Sequence, residues 1–222
     1  MAEGRFTSTE QVELIQDPTE KARREAENGV RQTELALSIV RAFVKEKEQP
    51  FRLRQGILMQ LHSVALEGVH VFAGTFRNGP ATIHGSDHDP VPAFRVADEV
   101  ADMCEYVNNH WSDRSPIHLA AYLLWKLNWI HPFADGNGRT ARAISYVVLS
   151  IRANSLYPGT NTIPDQIASD KKPYYVALEK ADAVWKKTGQ VDVSDLEKML
   201  SEMLATQLLQ GLKEAETVNA AE

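Results

Sequence analysis

Apolar residues recur every three or four positions along most of the chain, a spacing that predicts a largely helical protein. The first helix should begin after Asp17, which precedes a proline and stands three residues before a glutamate. We expect it to run to Glu27 and to end at Asn28-Gly29, a common helix stop. A second helix should follow on the apolar stripe from Leu35 to Phe43. The same period predicts further helices at residues 50–68, 94–108, 115–130, 139–151 and 172–187, and from residue 194 onward.

The helical period stops between residues 69 and 92. Phe76 to Gly79 contains an Asn-Gly turn signal, and Ala81 to His84 alternate in polarity, which predicts a short β-hairpin. Glycines and prolines are frequent in residues 85–92, as in a surface loop. The sequence therefore predicts an all-α fold class, a helical bundle with one small β-hairpin. We call the region of that hairpin, residues 75–84, the flap segment.

The amino-acid composition excludes several classes of protein and of binding partner. With 222 residues, 43% of them apolar, the chain can form one large domain, or one domain with an appendage. A single cysteine excludes a disulfide framework and a cysteine-rich zinc module. The net charge of −6 argues against a nucleic-acid partner. Neither a signal sequence nor an apolar run of about 18 residues indicates a membrane partner, so we expect a cytoplasmic protein.

One run of twelve residues carries most of the candidate chemistry. Residues 131–142, HPFADGNGRTAR, join two predicted core helices and are called the motif segment. Glycines on both sides of Asn137 let the backbone turn sharply and approach a ligand closely. The N–H groups of this loop and the start of the next helix together favour an anion. Arg139 and Arg142 lie about one helical turn apart, so both guanidinium groups can bind the same anion.

Two further side chains of the motif segment add reactive groups. Asp135 is a hard oxygen ligand of the kind that holds Mg²⁺ beside nucleotide phosphates. His131 has a side chain whose ordinary pKa is near neutrality, so it can accept a proton from a hydroxyl. Each feature alone is ordinary, since a histidine before proline and arginines in a first helical turn are commonly structural. Their concentration within twelve residues favours a nucleotide site.

The motif segment resembles the signature loop of the Fic (Fido) family, His-x-Phe-x-[Asp/Glu]-Gly-Asn-Gly-Arg-x-x-Arg, at every fixed position. Three flanking stretches are also similar to the family: Leu127 to Ile130, Gly74 to Arg77 with Ile83, His84 and Pro90, and Pro173 to Leu178. The resemblance covers about residues 50–190. It implies an N-terminal helical extension at residues 1–48, a Fic core at residues 49–190, and a C-terminal helix at residues 191–222 that packs on the core.

The resemblance implies a protein adenylyltransferase, which moves AMP from ATP to a tyrosine, threonine or serine hydroxyl of a target protein. His131 would be the catalytic base, and Asp135 would hold Mg²⁺. The phosphates would lie against Gly136, Asn137, Gly138, Arg139 and Arg142, and the nucleotide pocket would be closed by Tyr174 and Tyr175. The target would pair with the flap segment, at Thr75, Ile83 and His84.

Many Fic proteins carry an inhibitory helix, [Ser/Thr]-x-x-x-Glu-[Gly/Asn], whose glutamate pairs with the second motif arginine. Two segments compete for this role. Ser63 to Gly68 matches letter for letter and offers Glu67, but it lies inside the core, directly before the flap segment. Glu27 lies in the N-terminal extension, before Asn28, although Arg23 stands where serine or threonine is expected. We favour Glu27 as the inhibitory residue and keep Glu67 as the alternative.

The motif segment does not by itself fix the activity. The alternatives are a non-catalytic nucleotide- or protein-binding module of the same fold, and an enzyme that removes AMP from a modified target. The intact His131 and Asp135 argue against a pure binding module, which has no need of a base. The expected partners are ATP and a target protein, and a homodimer or a regulatory partner stays open.

Overall fold

The computed structural model describes residues 6–8, 13–45 and 50–219, and helices make up most of them, which confirms the all-α fold class. The elements are β1 (Phe6–Ser8), α1 (Pro18–Lys45), α2 (Gln55–Leu66), β2 (Thr82–His84), a 3₁₀ turn (Ala93–Arg95), α3 (Val96–Asn109), α4 (Pro116–Ile130), α5 (Asn137–Arg152), α6 (Ile163–Ser169), α7 (Lys172–Thr188) and α8 (Ser194–Asn219). Among these described residues, no helix combines the length and the apolarity needed to cross a bilayer.

The core is built around α4, whose side chains are buried on every face rather than along one stripe. α5 packs along α4, and both α1 and α2 pack against α5. α3, α7 and α8 contact α4 as well. The turn between α4 and α5 is therefore enclosed by the fold, and this turn is the first half of the motif segment.

α1 is one continuous helix, so the predicted break at Asn28-Gly29 is wrong. Its start is as predicted, because the Asp17 carboxylate accepts the Glu20 N–H at 2.8 Å. Asn28 is fully buried, and its side-chain amide donates to the main-chain oxygen of Glu67 at 2.8 Å. Gly29 faces open space. Packing of Asn28 against the end of α2 thus keeps a residue pair helical that usually ends a helix.

The predicted β-hairpin is also wrong, because the two strands of the sheet come from distant parts of the chain. β2 pairs antiparallel with β1, with Thr7 opposite Ile83. Residues 74–81, all of them described, contain no strand. Within them Arg77 is buried, with 5% of its surface exposed. Its main-chain N–H donates to Pro132 O at 2.9 Å rather than to a neighbouring strand, and β2 pairs with the N-terminal segment instead.

Smaller differences concern where helices begin. The residues before α2 are extended, because Leu53 makes both of its main-chain hydrogen bonds with the Asn108 side chain, at 2.7 and 2.9 Å. The sequence pattern did not indicate α6, whose start is a capping box between Thr162 and Asp165. α4 begins as predicted, since Ser115 Oγ accepts an N–H of the first turn at 3.0 Å.

Candidate active site

A cavity of about 520 Å³ lies beside the turn between α4 and α5. Residues from α1, β2, α4, α5 and α7 border it. The cavity therefore collects side chains that are far apart in sequence. Residues predicted for the site that line it are Ile83, His131, Asp135, Gly136, Asn137, Gly138, Arg139, Arg142, Tyr174 and Tyr175.

The turn between α4 and α5 depends on two residues in the left-handed conformation. His131 has φ 53° and ψ 59°, and Gly136 has φ 74°. A Cβ at Gly136 would lie 2.6 Å from Leu66 Cδ2, so conformation and space both require glycine. Asn137 closes the turn, because its side chain accepts the Phe133 N–H at 2.9 Å and donates to Phe133 O at 2.8 Å. The protein itself therefore fixes the backbone of the predicted anion site.

His62 of α2 supports this turn from inside the protein. Its ring stacks on Phe133, with centroids 3.7 Å apart and planes 6° from parallel. Nδ1 accepts the Gly74 N–H at 2.9 Å, so Nε2 carries the proton and donates to Asp135 O at 2.9 Å. Burial lowers the pKa of His62 to about 4, which keeps the ring neutral and both bonds intact at neutral pH.

His131 is 6% exposed, and it borders the cavity. Nδ1 lies 3.3 Å from Asn128 O, which can only accept, so this contact assigns the proton to Nδ1 and makes Nε2 the basic nitrogen. Burial lowers the pKa of His131 to about 4, and the charge of Arg77 adds to this effect, against the bond to Asn128. The imidazole is therefore neutral at neutral pH, the state in which it can accept a proton.

The two motif arginines differ in their partners. Arg139 contacts the Asp135 carboxylate at 2.9 Å and the Glu25 carboxylate of α1 at 3.2 Å. Arg142 is half-buried, and no carboxylate of the described residues lies within ion-pair distance of it. Burial lowers the pKa of Arg142, which shows that its charge is poorly solvated. A guanidinium in this condition on a cavity wall is suited to bind an anion.

Asp135 fits the requirements of a magnesium ligand. Its side chain is 43% exposed and borders the cavity. Oδ1 accepts the Gly136 N–H at 2.6 Å and Oδ2 accepts from Arg139, which leaves both oxygens further acceptor positions. Within the described ranges, no group of three or more His, Cys, Asp or Glu forms a metal cage. A single carboxylate completed by phosphate and water oxygens is a usual set for Mg²⁺.

Tyr174 and Tyr175 of α7 line the cavity, with ring centroids 5.8 Å apart. Tyr174 is almost fully buried, and its hydroxyl accepts from Asn128 Nδ2 at 2.7 Å. The same Asn128 offers its main-chain oxygen to the imidazole of His131. One residue of α4 thus connects the aromatic wall with the candidate base.

Three tryptophans form one cluster, and two of them, Trp125 and Trp129, border the cavity. The ring of Trp185 lies 5.6 Å from that of Trp125 and 5.9 Å from that of Trp129. The Lys126 ammonium lies 3.7 Å from the centre of the Trp129 ring and donates to Glu99 Oε2 at 2.9 Å. A buried ion pair therefore supports this aromatic wall from behind.

Four of the predicted site residues are not part of the cavity lining: Thr75, His84, Glu27 and Glu67. Thr75 and His84 are exposed on the flap segment. Glu27 bonds Arg23 at 2.6 Å, and Glu67 pairs with another arginine of α1. The expectation that Glu27 stands at a helix end and pairs with the second motif arginine is therefore wrong.

Glu25 and His88 also border the cavity, although neither was predicted from the sequence as a residue of this site. Glu25 stands three residues before the buried Asn28 and seven before the buried Gln32, a spacing that places all three on the inner face of α1. That spacing could have identified Glu25. His88 Nε2 lies 2.7 Å from Trp129 O, a contact between residues 41 positions apart that no local pattern reveals.

The sequence of the chain is similar to known proteins. Residues 52–149 match the family described as the Fic/DOC family. Protein adenylyltransferase Fic of Drosophila persimilis is 34% identical over 127 residues, which are 56% of this chain and 23% of that protein. Protein adenylyltransferase fic-1 of Caenorhabditis briggsae is 32% identical over 94 residues, 41% of this chain and 18% of that protein. The chain thus spans about a fifth of the length of these curated relatives.

Solved structures share the fold at low sequence identity. A Fic domain containing signaling protein from Bacteroides thetaiotaomicron has a TM-score of 0.70 and 21% identity, over 91% of this chain and 76% of that one. The BepC protein from Bartonella tribocorum, solved with bound AMPPNP, has a TM-score of 0.52 and 15% identity, over 85% of this chain and 88% of that one. Residues 52–149 therefore match the Fic/DOC family, and the chain as a whole shares the fold of solved Fic-domain structures.

Proposed function

We propose that the chain is a protein adenylyltransferase, which transfers AMP from ATP to a hydroxyl side chain of a target protein. The observation that carries the proposal is the meeting of His131, Asp135, Arg139 and Arg142 around one cavity at the start of α5. A helix N-terminus and two guanidinium groups suit a polyphosphate. The curated relatives bear the name protein adenylyltransferase, which supports the same activity here.

His131 supplies the base of the proposed reaction. Nε2 accepts the proton of a tyrosine, threonine or serine hydroxyl while that oxygen attacks the α-phosphorus of ATP. The new oxygen–phosphorus bond replaces the bond to the leaving pyrophosphate, and the proton passes from His131 to solvent. The N–H groups at the start of α5 and the Arg142 guanidinium stabilise the negative charge that develops on the phosphates.

Asp135 is the residue proposed to hold Mg²⁺ together with the nucleotide phosphates. The ion, when bound, would neutralise phosphate charge. Gly136 to Gly138 offer main-chain N–H groups to the same phosphates. The Asn137 side chain has a different task, since both of its polar atoms bond Phe133.

The outer parts of the site are assigned to the nucleobase and the target. Tyr174 and Tyr175 contribute an apolar wall of the kind that binds a nucleobase. Ile83 borders the cavity from β2, so an extended target segment that pairs with this strand would lie next to the site. Thr75 and His84 would contact the target on the flap segment outside the cavity.

Glu25, rather than Glu27 or Glu67, is the residue proposed to inhibit the site. Its carboxylate comes from α1, borders the cavity and holds Arg139 at 3.2 Å. A negative charge at this position repels phosphate and occupies a guanidinium that phosphate would use. Autoinhibition would end when Glu25 releases Arg139.

Transfer of label from ATP tests the proposed function. Protein is incubated with Mg²⁺, a cell lysate and ATP labelled on the α-phosphate, in the Glu25→Gln background, and labelled protein is measured. His131→Ala should abolish the labelling, whereas His110→Ala, which removes a histidine of the α3 end away from the cavity, should preserve it. Labelling that survives His131→Ala would refute the assignment of the base.

Two further measurements separate the alternatives. Release of AMP from a previously adenylylated protein, without forward transfer, would identify an enzyme that removes AMP. ATP binding by calorimetry, without transfer in either wild type or Glu25→Gln, would identify a non-catalytic module. Label from the γ-phosphate in protein would indicate phosphoryl transfer and contradict the proposal.

A further inference from the structure

Arg77, in the flap segment, is buried beneath the motif segment and bonds main-chain carbonyl groups. Its Nε donates to His131 O at 2.7 Å, and Nη2 donates to Ile130 O at 3.3 Å. Nη1 donates to Gly79 O at 2.8 Å, Nη2 also contacts Val91 O, and the Arg77 main-chain N–H donates to Pro132 O at 2.9 Å. One residue thus contacts the carbonyl groups of three consecutive residues at the end of α4.

Two of these carbonyl groups determine the conformation of His131. The Ile130 oxygen belongs to the peptide plane before the His131 Cα, and the His131 oxygen belongs to the plane after it. Holding both planes fixes the two rotations about that Cα, here at φ 53° and ψ 59°. This left-handed conformation is unfavourable for a residue other than glycine, so it persists only where surrounding contacts impose it.

The shape of the arginine side chain suits this task. The last carbonyl groups of a helix lack partners within the helix and carry partial negative charge. A guanidinium is a planar fork with five N–H donors, and here its three nitrogens contact four carbonyl oxygens. An ammonium group carries the same charge on a single nitrogen, so it cannot reach this set at once. Arg77 also bonds Gly79, a second residue of the flap segment, so its guanidinium links this segment to His131.

We propose that Arg77 is a positioning residue that imposes the left-handed conformation of His131 and thereby aims the imidazole into the cavity. Its effect on transfer rests on the proposed function, whereas its effect on the conformation of His131 does not. The direction of the Cα–Cβ bond follows from φ and ψ, so a change in either angle moves the imidazole away from the acceptor hydroxyl. The Gly136 to Gly138 backbone, which is held by other contacts, should keep its place.

The test is Arg77→Lys in the full chain, with Glu25→Gln as the background that relieves the proposed autoinhibition. We expect the turnover number for label transfer to fall about 100-fold, because a base displaced by about 1 Å loses roughly that factor. The dissociation constant of AMPPNP and Mg²⁺ by calorimetry should stay within about twofold, since the phosphate-binding residues are untouched. A parallel loss of affinity and rate would mean that Arg77 supports the whole fold, and would overturn the proposal.

Arg152→Lys is the matched control. Arg152 also donates to two main-chain oxygens, those of Ser112 and Arg114, at 3.5 and 3.4 Å, but it lies at the end of α5 away from the cavity. Any loss of stability from weakened arginine–carbonyl bonds should appear in both variants, measured as the melting temperature. Only Arg77→Lys should lower the turnover number.

NMR of His131 decides the question without reference to activity. In Arg77→Lys the Cα and Cβ shifts of His131 should leave the range of left-handed residues, while those of Gly136 stay unchanged. Unchanged His131 shifts would overturn the proposal even if transfer falls. If the Glu25→Gln protein transfers no label, these shifts remain a complete test, and the failure belongs to the proposed function alone.

If Arg77→Lys does not fold, chemical rescue of Arg77→Ala by added guanidinium provides a second test. Arg77→Ala leaves a cavity of guanidinium shape, and guanidinium at concentrations well below those that unfold proteins should restore the His131 shifts and the transfer. Ammonium at the same concentration should not. A failure of guanidinium to restore the His131 shifts would count against the proposal.

Discussion

Acidification from about pH 8 to about pH 5 should destabilise the folded protein through His131. Burial lowers the pKa of this imidazole from 6.5 in the unfolded chain to about 4 in the folded protein. Between these values the unfolded chain binds a proton that the folded protein does not. Stability therefore rises with pH from about 4 to 6.5 and is lost as the pH falls through the same window.

The size of the loss follows from these two pKa values. At about pH 5, one and a half pH units below the unfolded pKa, the folded imidazole is still mostly neutral. At about 1.4 kcal/mol per pH unit, His131 should lower the free energy of unfolding by about 2 kcal/mol. The pKa of His62 is lowered to about 4 as well, so the wild-type protein should lose more than this amount in total.

Urea unfolding followed by circular dichroism at both pH values, for wild type and His131→Gln, isolates the contribution. Glutamine does not titrate, so the variant should lose about 2 kcal/mol less than wild type over the same interval. His84→Gln, at an exposed histidine, should retain the full pH dependence. Equal losses in wild type and His131→Gln would show that the imidazole is not buried in its neutral form.

Three further predictions concern separate contacts, and two of them include a comparison variant. Glu25→Gln should strengthen ATP binding, measured by calorimetry, several-fold because it removes one of the two ion pairs of Arg139 and a negative charge beside the cavity, while Glu27→Gln, on the exposed side of α1, should not. Gly136→Ala should lower the melting temperature strongly because its Cβ would overlap a leucine of α2, whereas Gly138→Ala should fold normally and lose ATP affinity. Asn137→Ala should lower the free energy of unfolding by about 3 kcal/mol, measured in urea, because it leaves two buried main-chain groups unpaired. Unchanged ATP affinity in Glu25→Gln would contradict the role of that ion pair. Equal melting temperatures of the two glycine variants, or an unaltered urea midpoint in Asn137→Ala, would contradict the other two contacts.

The motif segment could be found from the sequence because its chemistry is local. His131, Asp135 and Arg142 belong to twelve consecutive residues, and helical spacing alone places the arginines on one face. The helices of the core were predicted for a similar reason, since each has its own apolar period. α4 differs from the others, because ten of its 15 residues are buried and its high apolar content marks it as a core helix.

The remaining features depend on contacts between distant residues. The break expected at Asn28 does not occur, because its amide bonds the end of α2, 39 positions away. The strand at Ile83 pairs with Thr7 rather than with its neighbour in the chain. Glu25 meets Arg139 across 114 positions. Local propensity contains no information about such contacts, and the family pattern selected Glu27, two residues from the glutamate that reaches the cavity.

The tryptophan cluster gives the protein a built-in optical reporter. Three of the four tryptophans in the sequence form this cluster beside the cavity. The fourth, Trp111, packs against Phe51 with ring centroids 5.0 Å apart. Emission from the cluster should respond to any aromatic ligand that enters, while Trp111 contributes a nearly constant background. Intrinsic fluorescence can therefore follow the arrival of unlabelled nucleotide in real time, and Trp129→Phe would show how much of the signal comes from the cavity wall.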